Sequence, residues 1–333
     1  MATRVQNLIK AFGKAKQADI ATASASFLQF TKLNTSITSP DPVFENDAPE
    51  IGKGNEFALH TFPSHYNIQD SVEKYSTAEF LTYACAYGLG NVSETTGVYT
   101  ITPLDHTTTL ELPYFTVVDQ LSEGGGEAID NAYIGCAIED FTYTFTSGPG
   151  RPSGKVNVNW VGSGKITSPS AVTLSDGPVA EHNMLSGSMT LTINGTDYVG
   201  AKTILNGSIS WKNNLLLNAG FFPGSGLQNG LQIRGRLEIG ARTPTFQFTA
   251  RLLSTSDEYT KLIAQTTGTA VLKVQFDSTH YVQFTFEKVA FQKVVNTEAD
   301  GIVAVTVDVL PMFDATNGLI SIEAKCGVSG IAQ

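Results

Sequence analysis

The sequence predicts a mainly β fold, an antiparallel β-sandwich or barrel flanked by short helices, on three observations. Runs that alternate apolar and polar residues recur along most of the chain, the period of a half-buried strand. Gly-, Asn- and Pro-rich turn signals separate these runs at the spacing of an antiparallel meander. The composition agrees: 41% of the 333 residues are apolar and only 16% charged, with 31 glycines, the balance of a folded β-rich chain.

Taken in order, residues 1–55 carry few alternating runs and many Thr, Ser, Asp and Pro residues. They read as an N-terminal arm or extended loop with one short helix near Val5 to Phe12. Ser76-Thr77-Ala78-Glu79 is a capping-box pattern, with Ser76 as the cap and Glu79 reaching back. The helix it opens runs through Phe80, Leu81 and Ala84 and should stop near Gly88 or Gly90. Val98–Thr102, Thr109–Val118, Ile134–Thr146 and Lys155–Gly162 then read as strands. Leu231–Gly240 and Thr245–Leu253 follow in the second half. Thr255-Ser256-Asp257-Glu258 is a second capping box, opening a helix through Tyr259, Leu262 and Ile263. Ala270–Phe276, Tyr281–Lys288, Val289–Val295 and Ile302–Leu310 read as four more strands. Asn194-Gly195 and Asn206-Gly207 are tight-turn signals between alternating strands. The order of one helix and four strands occurs twice, from near Ser76 and from near Thr255, which suggests an internal duplication. The expected division is an arm over 1–55, a first β domain over 56–190 and a second over 191–333.

Several kinds of chemistry find no support. The net charge of −10, from 31 acidic and 21 basic residues, argues against tight nucleic-acid binding, which rests on clustered Lys and Arg. Cys85, Cys136 and Cys326 are too widely spaced for a disulfide framework or a Cys-x-x-Cys metal site, and are expected reduced and buried. No apolar run approaches the length of a membrane helix. His60, His65, His106, His182 and His280 show no pair at ligand spacing. Gly148 to Lys155 looks superficially like a phosphate-binding loop but has Val156 where Ser or Thr is required. The expectation is therefore no catalytic residue, no cofactor and no metal. Of three classes, a self-assembling structural protein, a carbohydrate-binding β module and a hydrolase with a non-local site, the first fits best.

The run from Ile134 to Trp160 reads as a long hairpin. Its apolar phase changes from Ile134, Cys136 and Ile138 to Phe141, Tyr143 and Phe145, which predicts a β-bulge near Glu139-Asp140. One face is apolar. The other carries Thr142, Thr144, Thr146, Asn157 and Asn159, polar yet uncharged, and suits the wall of a wet channel or a sheet facing solvent. The tip, Ser147, Gly148, Pro149, Gly150, Arg151, Pro152, Ser153 and Gly154, has one charge and no chemistry to perform, and reads as a contact between subunits or rings. Phe221 and Phe222, in the glycine-rich loop from Gly220 to Gly230, read equally as an exposed contact or a buried anchor.

The layout resembles the major tail tube proteins of long-tailed bacteriophages. The resemblance is carried by FGKAKQADIATA, by the acidic stretch before GKGNEF, and by the capped helix STAEFLTYACAYGLG followed by GVYTITP. It continues through LPYFTVVDQ, YIGCAIEDFTYTF, KVNVNWVGSG, GSISWKNNLLLNAGF, RGRLEIGA, VAFQKVV, AVTVDVLPMFD and a last ISIEAK strand. It covers most of the chain as a pattern of elements, without a diagnostic motif. It implies rings, of three duplicated subunits with pseudo-sixfold symmetry or of six, stacked into a tube. The partners would be the chain itself and other tail proteins, with genomic DNA passing through the lumen without specific binding and no membrane involved. The location implied is a virion tail assembled in the bacterial host cytoplasm. The alternative is a carbohydrate-binding β-sandwich module of a phage or surface structure.

Overall fold

The computed structural model describes residues 5–46, 61–105, 107–123, 128–146, 154–167, 174, 177–199, 204–299 and 301–333. The fold is mainly β, as the alternation predicts. The first half contains β1 (Val5–Gly13), β2 (Phe27–Gln29), β3 (Asp41–Asn46), β4 (Thr61–Tyr75), α1 (Ala78–Leu89), β5 (Gly90–Thr95), β6 (Val98–Pro103), β7 (Phe115–Glu123), β8 (Ala128–Thr146), β9 (Gly154–Gly162) and β10 (Lys165–Thr167). The second contains β11 (Thr190–Ile193), β12 (Thr196–Asp197), β13 (Ile204–Lys212), β14 (Leu227–Gln228), β15 (Leu231–Gln232), β16 (Thr243–Arg251), α2 (Glu258–Ile263), β17 (Gly268–Asp277), β18 (His280–Ala299), β19 (Ile302–Met312) and β20 (Ile320–Lys325).

One set of antiparallel pairings occurs twice. In the first half β2 pairs β1, β1 pairs β7, β7 pairs β8, β8 pairs both β10 and β9, β9 pairs β4, and β4 pairs β3. In the second half β12 pairs β11, β11 pairs β17, β17 pairs β18, β18 pairs both β20 and β19, β19 pairs β16, and β16 pairs β13. Even the bulges correspond. The register slips at Glu139 in β8 and at Gln292 in β18, each inside the hairpin ladder, after the first pairs with β9 and with β19 have formed. The β5–β6 hairpin belongs to the first half alone and crosses over to pair with β20.

A single seam joins the halves edge to edge in the main sheet: β8 pairs β13 from Thr146↔Asn206 to Asp140↔Lys212. The sheet therefore runs β4, β9, β8, β13, β16, β19 and the end of β18. Its apolar face meets the sheet of β17, the start of β18 and β20 through stacked rings. Tyr143 lies 6.1 Å from Phe284 and Phe246 lies 5.5 Å from Phe286. All twelve residues of α1 are buried beneath these sheets, and Tyr83 and Tyr87 both donate to Gly13 O at the end of β1.

Local structure departs from the sequence reading in definite places. Val5–Gly13 is a strand, not a helix, because pairing with β7 along its length outweighs local spacing. The cap of α1 is Thr77, whose hydroxyl accepts from Phe80 N at 3.3 Å; Ser76 is one residue too early, and Glu79 turns toward His182. The helix ends as expected, at Gly90 in the left-handed region (φ 90°). At α2 the cap position is Asp257 with no side-chain capping bond, and the Ser256 hydroxyl accepts from Leu253 N instead. The strand expected from Thr109 starts at Phe115, after Pro113, which lacks a ladder donor. Only Leu231–Gln232 of the run to Gly240 is strand; Leu237 and Ile239 instead fill a small cluster with Leu112, Tyr114 and Leu215. The runs at Tyr281 and Val289 are one continuous strand, β18. Asn194-Gly195 is a turn, both residues at positive φ. Asn206-Gly207 is not: it lies inside β13, paired on both sides.

Candidate functional site

The polar face foreseen on the hairpin is real and extends beyond it. Thr142, Thr144, Thr146, Asn157 and Asn159 alternate with buried Phe141, Tyr143, Phe145, Val156 and Val158. They therefore share one side of the sheet. Across the seam Thr142 Oγ1 donates to Ser210 Oγ at 3.1 Å, and farther along Gln247 Nε2 donates to Asp308 Oδ1 at 2.6 Å and Thr249 meets Thr306 at 3.0 Å. Hydroxyls and amides satisfy one another across strands, and Lys212, Arg251, Lys293 and Asp308 share this side with them. Asp140 takes the Asn159 amide at 2.7 Å, and the exposed Lys155 ammonium rests 2.8 Å from Glu73. The predicted bulge lies at Glu139 and swings Glu139 and Asp140 into a cleft of about 290 Å³ shared with Asp70, Ser71 and Asn159. No basic side chain lines that cleft among the described residues.

The sheet ends in two open edges. Beyond its bulge β18 pairs β19 alone among the described residues, and Lys293, Val295, Asn296, Thr297 and Glu298 are exposed. At the far end β4 is bordered by the isolated bridge Asn34↔Glu73 and by β3, whose outer side has no partner among the described residues. Phe44 on β3 is 58% exposed. Within the chain, the strand that corresponds to β18 is β8, and the strand that corresponds to β3 is β13. Those two are paired with each other.

The hairpin tip, Ser147 to Ser153, lies outside the described residues; Gly154 opens β9. Phe221 and Phe222 fall between the two expected readings. Phe221 is half-buried with the Arg234 guanidinium 4.6 Å from its ring and His65 at 4.7 Å, whereas Phe222 is 37% exposed beside Arg236 at 5.3 Å. Arg234 fixes this loop by donating to Gly162 O and Leu217 O, and burial pushes it down to about 10. All three cysteines are buried and unpaired, and burial pushes the Cys85 and Cys136 thiols up.

One constellation escaped the sequence reading. Glu79, in the first turn of α1, is fully buried, and both its oxygens turn to His182. Oε2 accepts the His182 backbone N–H at 2.9 Å and Oε1 lies 2.8 Å from Nδ1. The His182 ring stacks on that of His280, centroids 3.6 Å apart. His280 Nδ1 in turn lies 3.0 Å from Asp277 Oδ1. These residues come from helix, linker and hairpin, so no spacing rule could have joined them. The only local hint was a Glu at a capping position that the cap did not need.

Comparison with known protein families and with curated proteins gives no match.

Proposed function

We propose that this chain is a structural protein that assembles into rings stacked as a tail-type tube, with DNA as the passing cargo. The carrying observation is the repeated strand pairing with its internal seam. The two halves are duplicated units, and the β8–β13 junction is the template for a junction between copies, in which β18 of one copy pairs with the β3 edge of the next. Open edges tend to recruit further strands, and a closed ring satisfies them all. The polar face, with the carboxylates at its bulge and side chains of both charges along it, then lines the lumen. An acidic chain holds no phosphate backbone by counterion release, so cargo slides past it. The tip from Ser147 to Gly154 is read as a contact between subunits or rings, and other tail proteins as further partners.

Two proline variants test the seam. Successive N–H groups along a strand point to opposite edges, so of Val295→Pro and Asn296→Pro one removes an N–H aimed at β19 and the other an N–H aimed at the open edge. Electron microscopy of concentrated protein should show rings or tubes for the parent chain. The proline variant that keeps the parent's thermal stability should show none. A parent that stays monomeric at high concentration, or normal rings from both prolines, overturns the proposal.

A further inference from the structure

We propose that Glu79, His182 and His280 form a binding site for a divalent transition metal of the Zn²⁺ class, clamping the first half of the chain to the second. This inference is independent of ring assembly. One carboxylate oxygen and one nitrogen from each ring lie within 4.8 Å of one another. A tetrahedral ion with bonds of about 2.1 Å holds its ligand atoms about 3.4 Å apart. The set is therefore slightly open and closes by a swing of the two histidines. Their side chains are 30% and 17% exposed, which gives them room to splay out of the stacked arrangement and gives an ion a way in.

The surrounding bonds prepare the donors. His280 Nδ1–H donates to Asp277, and Thr279 Oγ1 stands 3.1 Å from the same nitrogen, so Nε2 keeps its lone pair for a metal. A ligating histidine held through its other nitrogen by a carboxylate is a recurrent arrangement around zinc. Glu79 Oε2 is taken by the His182 backbone, and Oε1 shares a hydrogen-bond proton with His182 Nδ1 at 2.8 Å; an incoming ion displaces that proton and makes both atoms its ligands. Two imidazoles and one carboxylate match the donor preference of Zn²⁺ over Mg²⁺ or Ca²⁺. Three protein ligands leave the fourth position to water, on the solvent side. Cys326, near Glu79, is not that ligand: burial pushes its thiol up to about 11 and Sγ is engaged with Val328 O.

The placement gives the metal a structural consequence. Glu79 belongs to α1, His182 to the segment between β10 and β11, and His280 to the start of β18. A bound ion ties all three together and adds its binding free energy to the folded state.

The test titrates chelator-treated full chain with Zn²⁺ alone by calorimetry, alongside thermal melts with and without the ion. Expected are one site per chain and a raised melting temperature. The partly exposed ligands allow clean variants. Asp277→Asn should weaken binding about 10- to 100-fold, and His280→Ala should weaken it further while leaving the metal-free melt near that of the parent; His182→Ala should also abolish binding but lower the metal-free melt, because buried Glu79 Oε1 loses its partner. Absence of Zn²⁺ binding, or binding and thermal stabilisation that survive both alanine substitutions, overturns the site. Both readouts work on the monomer, so their failure leaves the ring proposal standing and the reverse holds too.

Discussion

Gly207 shows how a single residue can carry a signal that means something else. A Cβ built there would stand 2.3 Å from Phe145 Cζ and 2.7 Å from Gln247 O. The glycine lets the Phe145 ring lie across the middle of β13, a close approach rather than a turn. Nothing beside Asn206-Gly207 in the sequence distinguishes the two uses. Asn194-Gly195, with φ of 49° and 79°, is the genuine turn. Asp314 is a residue whose role is electrostatic and local. Its Oδ1 accepts from Thr316 N at 3.0 Å and Asn317 N at 2.9 Å in the turn before β20, and these bonds hold its carboxyl below the ordinary 3.8. A depressed folded value means that the turn contributes stability above pH 3.8 and loses it as pH falls through the lower folded value. Asp314→Asn should therefore flatten the dependence of the melting temperature on pH below about 4, as read by calorimetry; an unchanged acid limb would show that the turn carboxylate contributes nothing.

At the scale of elements, β1 shows why the amino-terminal region was hardest to read. Its register depends on a buried charge. Lys10 Nζ lies 2.5 Å from Asp70 of β4, 3.3 Å from Asp119 of β7 and 2.8 Å from Thr38 Oγ1, while Thr38 N donates to Asp119 at 2.6 Å. Lys10 falls in the stretch that the sequence reads as an N-terminal arm. Its partners are 60 and 109 positions away, and only the folded sheet assembles them. Lys10→Met keeps the aliphatic length but strands two carboxylates in the interior. The expected cost is about 3–5 kcal/mol in urea denaturation. A variant as stable as the parent would show that those carboxylates are solvated or protonated without penalty. By contrast, α1 and the β8–β9 hairpin were legible because cap, stop signal, phase change and alternation all lie within a few residues of the feature they specify.

For the whole molecule, the repeat of one helix and four strands suggested by the sequence counts β6, which has no counterpart in the second half, and divides β18 in two; the pairing of β4 with β9 and of β16 with β19 was not visible there. Strand partners are long-range and leave no local trace. The polar face was legible from five residues of one hairpin; its continuation through Ser210, Gln247 and Thr306 required the seam. Under the proposed assembly, duplication fixes stoichiometry. Each copy supplies two units, so three copies close a ring of six, and native mass measurement of isolated rings should give three chains with six-lobed projections. A ring of six chains would overturn the duplicated-trimer arrangement.

β8 and β18 each run through two sheets: β8 leaves β7 at Cys136 and joins β9 from Ala137, and β18 leaves β17 at Val289 and joins β19 from Lys288. In most sandwiches a pull on one layer reaches the other only through side chains sliding over side chains. Here the same covalent backbone belongs to both layers, so a load on the wall is shared along a continuous strand and opposed by ladders of hydrogen bonds in shear. The load passes from one layer to the other where the partners change, at Cys136–Ala137 in β8 and Lys288–Val289 in β18.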